Sequence, residues 1–227
     1  MLISHILKLI FHILLLAAAL ILYFTKQGRE FGAAFLWIVW PALAVPMLFR
    51  LFPNKRIAMG ARKHFACSYN PAPLAEMPAK GKAPHKGALF CALGWLSITA
   101  AMIFALFWLG MLSPETVLII ALGYAVVDLV FVLFFCPFRT LFMGNRCCVI
   151  CRIHNWDYFM KCAPLILFPS VFSISLFALS AAVALQWEIS LRRNPQYFMQ
   201  ETNKNLHCAA CEDKLCKLRI GKPRKSG

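Results

Sequence analysis

"LISHILKLIFHILLLAAALILYF", residues 2–24, decides the class of this chain. One formal charge, Lys8, interrupts the run. A helix needs roughly 20 mainly apolar residues to cross the hydrocarbon core of a bilayer. Its "LLLAAALIL" also resembles the core of a signal peptide. Yet apolar residues continue past the small Ala17, Ala18 and Ala19, and no polar cleavage region follows them. The pattern predicts an uncleaved helix.

The composition around it agrees. Of 227 residues, 61% are hydrophobic and 15% charged, with a mean hydropathy of +0.68. A water-facing shell cannot be built from so few charges, and a helical integral membrane protein is expected. The ten-residue alternating strands of a membrane barrel do not occur. Lys and Arg exceed acids by 24 to 9. They sit in segments bordering apolar runs, which points to anionic lipid headgroups as partners. Nucleic acid is not expected.

Four further apolar segments follow. The second spans 31–52 and contains Pro41 and Pro46, which should kink it. Residues 54–87 are polar, and "NPAPLAEMPAKGKAPHKG" reads as a flexible loop. The third segment, 88–112, is joined to the fourth, 116–135, by "SPET". There Ser113 suits an N-cap and Pro114 the first helical position. A cysteine-bearing connector, 136–162, leads to a fifth apolar segment, 163–191, and a basic tail, 192–227. The chain reads as all-α: a membrane domain over 1–191, with four or five spans, and a tail that shares a small cysteine-rich surface site with the connector.

Charge sets sidedness. If all five segments cross, the two faces carry 13 and 11 cations, which is no bias. If the fifth enters and returns, the split becomes 22 to 2, which the positive-inside rule favours. Pro164, Pro169, Ser170, Ser173 and Ser175 offer a place to break it, whereas its 29 residues also suit one crossing. Both paths stay open. In either, loop 53–87 and connector 136–162 are expected in the cytoplasm.

Two C-x2-C pairs carry the chemistry: Cys148 with Cys151, and Cys208 with Cys211. Each spacing lets two thiolates converge on one ion, and two pairs complete a tetrahedral site. Zinc is the expected metal. An iron–sulfur cluster is the alternative, although no ferredoxin-like run occurs. Cys147, Cys216, His154 and His207 are additional candidate ligands. Competing readings are palmitoylation near Cys136, Cys147, Cys148 and Cys162, reactive thiol pairs, and simple burial. Cys67 and Cys91 are isolated and read as structural.

Asp128 stands within "GYAVVDLVFVL", where an ionised carboxylate costs about 2.5–3.5 kcal/mol on insertion scales. A bond to a Ser, Thr or Tyr of another helix is the plainer expectation; a relay of ions or protons is the functional one. His5 and His12 share a helix face and suit polar contacts rather than haem. "RIHNWDYFMKC", residues 152–162, mixes aromatics and cations as a segment at headgroup depth does. No phosphate loop, serine elbow or HExxH occurs. The expected function is a membrane platform for a partner protein or lipid, ordered by a thiolate metal site. A membrane redox protein and a small transporter using Asp128 are the alternatives.

Overall fold

The computed structural model describes residues 2–25, 32–55, 57–72, 86–138, 149, 151–207, 210, 211 and 213. Among these there are helices and no strands, only an isolated bridge between Pro71 and Asn203. Five helices are long and apolar enough to cross a membrane. They are α1 (Leu2–Thr25), α2 (Ala33–Leu51), α4 (Lys86–Trp108), α5 (Pro114–Leu133) and α7 (Val171–Arg193). Two short helices, α3 (Met59–Arg62) and α6 (Asp157–Cys162), complete the set, with 3-10 turns between them.

The turn between α4 and α5 shows local sequence at work. Gly110 takes φ +68°, a conformation that costs glycine little. Its amide donates to Phe107 O at 3.0 Å, and the Met111 amide to Leu106 O at 2.9 Å, which closes α4 with a Schellman pattern. Ser113 then caps α5 in a reciprocal box with Thr116, with Pro114 at the first position, as the sequence predicts.

Small residues let the helices approach. Ala19 of α1, Ala44 of α2, and Ala121 and Ala125 of α5 are buried among Leu15, Leu43, Leu122, Leu176 and Val183. Helix α4 stands at the margin. It touches α5 through Thr99 Oγ1 and the Tyr124 hydroxyl, 2.7 Å apart, and leaves Leu93, Phe104 and Trp108 exposed. Exposed apolar side chains are the natural surface of a helix facing lipid tails.

The path after α5 resolves what the sequence leaves open. Asp157 opens α6 close to Arg50, at the end of α2. A 3-10 turn, Ala163–Leu167, continues inward, and Leu165 and Phe168 reach the opposite end, beside Pro114 and Leu36. There Ser170 caps α7 in a second reciprocal box, with Ser173. Helix α7 returns parallel to α2: Trp40 Nε1 donates to Ser175 Oγ at 2.9 Å, and Gln186 Nε2 to Leu51 O at 3.1 Å. The apolar stretch 163–191 is thus not one helix. Pro169 removes a backbone donor and Ser170 supplies a cap, so the helix starts afresh. The described tail therefore lies at the same end as the 53–72 segment. The Ala72 amide donates to Thr202 O at 3.1 Å, and the Met59 amide to Asp213 Oδ2 at 2.8 Å. Most of the expected flexible loop, residues 73–85, lies outside the described residues.

Candidate site at the basic end

A chain of buried and half-buried ions joins four parts of the structure. Arg50, in the last turn of α2, donates through Nη1 to Asp157 Oδ1 at 2.7 Å and Asn155 Oδ1 at 3.0 Å. Lys161, four residues after Asp157 on one face of α6, donates to Asp157 Oδ2 at 3.2 Å and to Asp128 Oδ2 of α5 at 3.0 Å. Asn155 Nδ2 donates to Ala61 O at 3.1 Å. The Tyr158 ring lies beneath both cations, 4.3 Å from the Arg50 guanidinium and 4.4 Å from the Lys161 ammonium. Desolvating one such ion alone costs several kcal/mol. Here each carboxylate meets a cation, so the penalty is met by partners rather than by water.

This network revises the expectation for Asp128. Asp128 bonds to a lysine, not to a hydroxyl or phenol, and it lies in the last two turns of α5 rather than at a helix centre. The cations of 152–162 meet protein carboxylates. Arg152 Nη2 donates to Glu188 Oε2 at 3.0 Å, and Trp156 Nε1 to Glu188 Oε1 at 2.9 Å. Lys63 escapes sequence reasoning too, as one of several loop cations. It is fully buried, with Nζ 2.6 Å from Val149 O and 3.2 Å from Cys151 O, above the Trp187 and Phe198 rings at 5.1 and 5.5 Å.

Of the candidate metal ligands, Cys147, Cys148, Cys208 and Cys216 lie outside the described residues. Cys151 is buried with Ala88, Cys91 and Ile153, and Cys211 is half-buried. His207 is exposed, its Nε2 2.8 Å from Gln200 O, and His154 is half-buried. Among the described residues no three His, Cys, Asp or Glu side chains form a metal-binding group. The described flanks of the two pairs do meet. Val149, between Cys148 and Cys151, packs with Met59 and with Leu206, just before Cys208. Asp213, just after Cys211, bonds to the same Met59. Of the isolated cysteines, Cys91 is buried and Cys67 exposed. His12 Nδ1 bonds within its own helix, to Lys8 O at 2.7 Å.

Burial depresses two histidines outside the spans. His64 falls to about 4 and His154 to about 3, desolvation being the main cause and the Arg50 charge a further one. Both are neutral near pH 7. His64 Nδ1 therefore carries the proton it donates to Ala61 O at 3.0 Å.

Two cavities flank the ion chain. One, of about 250 Å³, lies between α4, α5 and the connector and is walled by Trp95, Tyr124, Phe131 and Cys136. The other, of about 360 Å³, lies between α1, α2 and α5 and is bordered by Ser4, Lys8, Arg50 and Tyr158. Asp128 and His154 line both. No protein-family model, curated protein or solved structure matches the chain.

Proposed function

We propose that this is an integral membrane protein whose basic end forms a folded platform for anionic lipid headgroups and a partner protein, clasped by zinc on Cys148, Cys151, Cys208 and Cys211. One observation carries the reading: the flanks of both C-x2-C pairs pack on Met59. Spacing alone left a shared site dependent on both pairs lying at one end of the bundle. The path of α6 and α7 supports that condition, since Val149, Leu206 and Asp213 all meet Met59. Structural zinc is worth about 10–16 kcal/mol of apparent binding energy in small finger peptides, enough to order such a tail. With a returning fifth segment, 22 of the 24 cations in the sequence fall on one side, which favours the cytoplasm for that side under the positive-inside rule.

Metal analysis of protein purified without a chelating tag tests this. Zinc near one equivalent is expected, falling to near zero in Cys208→Ser and in Cys148→Ser, with the chain beyond Arg193 becoming protease-sensitive. Visible absorbance with bound iron would replace zinc by an iron–sulfur cluster. Unchanged metal content in both variants would sink the clasp.

A second reading has one observation in its favour: Asp128 borders both cavities. In a transport path it would exchange Lys161 for a passing ion. Loss of an ion flux in Asp128→Asn, with folding intact, would put that reading first.

A further inference from the structure

The cavity between α1, α2 and α5 has a charge imbalance. Lys8, Arg50 and Asp128 line it, and Lys161 and Asp157 stand behind them in the ion chain, so three cations face two carboxylates. Both carboxylates are taken up by Arg50 and Lys161, and Asp128, which borders the cavity, spends its charge on Lys161. Lys8 has no ion pair among the described residues. It stands about 9 Å inside α1, at 1.5 Å per residue. Its side chain is exposed, so an anion from outside the protein can meet it.

The walls say what form it takes. Ser4, His5, Lys8, Arg50, Asn54 and Tyr158 bring hydroxyl, amide, imidazole and cationic donors to one space. Asp128, held by Lys161, and His154 also line the space; the remaining wall is apolar, and two of its residues, Val45 and Phe49, are 41% and 55% exposed on the outer surface of α2. A donor-rich pocket that continues into an apolar, outward-facing wall suits an amphiphile, with an anionic head inside and acyl chains along the helix. Basic pockets of this kind between membrane helices bind phosphorylated headgroups. We infer that this cavity holds the phosphate of an anionic phospholipid, with Lys8 as its counter-ion. The inference rests on the platform reading and names its lipid site.

The full chain in non-ionic detergent is titrated with dioctanoyl phosphatidylglycerol, dioctanoyl phosphatidylcholine and inorganic phosphate. Saturable binding is expected for phosphatidylglycerol alone. Affinity should fall about tenfold in Lys8→Gln, the loss of one charge-assisted contact, and be retained in Lys8→Arg and in the exposed-surface control Lys204→Gln. Equal binding of phosphatidylcholine would overturn the inference, since a zwitterion leaves Lys8 unbalanced. Inorganic phosphate binding as tightly as the lipid would assign the site to a soluble anion and overturn the lipid. An unchanged affinity in a Lys8→Gln protein that melts like the wild type would overturn it as well. Zinc content, measured on the same samples, reports the clasp independently.

Discussion

Lys161 of α6 stands 3.0 Å from Asp128 of α5, and the same ammonium reaches Asp157 at 3.2 Å. One cation therefore fixes the inward-running segment to a long apolar helix. The two sides of the pair are not equivalent. Asp128→Asn leaves Lys161 with Asp157 and with an amide oxygen to bond, so a loss of no more than about 2 kcal/mol is expected. Lys161→Met strands Asp128 without a counter-ion and removes one of two partners from Asp157. That loss should be about 3–5 kcal/mol. Denaturation of both variants in detergent checks the order. A larger loss in Asp128→Asn would mean that the network is not held as described.

The return of α7 brings Lys204 to the end of the bundle that holds Asn70, where the Lys204 amide donates to Asn70 O at 2.9 Å. Single cysteines at Lys55 and Lys204, in a background without native thiols, should react alike towards an impermeant reagent. One at Met111, in the α4–α5 turn, should show the opposite response. Reaction of the Lys204 position together with Met111 would refute the entering-and-returning path and leave a simple fifth crossing.

That path shows where sequence reading works and where it stops. Apolar length locates all five long helices, and Ser113 and Pro114 set the start of α5 because capping is a local property. The break near Phe168 is legible only as Pro169 and the Ser170–Ser173 spacing, which residues 163–191 hide behind continuous hydrophobicity. The ion chain is not legible at all. Asp128 and Lys161 are separated by 33 residues, and nothing local to either announces the other. Lys63 is hidden for the same reason: its partners lie 86 and 88 residues away.

Acid should loosen the basic end before the helices. His64 and His154 have folded pKa values of about 4 and about 3, below their ordinary 6.5. Above pH 6.5 both are neutral, folded or unfolded, and their contribution is complete. Below it the unfolded chain gains protons that the folded one refuses, at about 1.4 kcal/mol per pH unit and histidine. The loss runs from 6.5 to about 4 for His64 and to about 3 for His154. Limited proteolysis of the tail at pH 7.5, 6 and 4.5 should show protection falling in that order. His64→Leu should flatten the slope. Protection independent of pH would mean that neither imidazole is excluded from water.

Gly60 separates packing at the joint from helix propensity. It lies in α3, where the loop meets the connector. A Cβ there would stand 3.1 Å from His154 Cδ2 and 3.3 Å from the Val149 backbone Cα. Alanine ordinarily improves a helical position by roughly 0.5–1 kcal/mol. Here the backbone contact cannot swing away as a side chain would, so overpacking of about 1–3 kcal/mol should outweigh the gain. Gly94, inside α4, has open space around its Cα and serves as the comparison. Gly94→Ala is expected to raise the melting temperature slightly. Gly60→Ala should lower it, expose the tail to protease and, if the zinc clasp holds, reduce metal retention during dialysis. Stabilisation by Gly60→Ala would show that Val149 and His154 are not packed against α3, and would remove the contact on which a shared site for the two cysteine pairs depends.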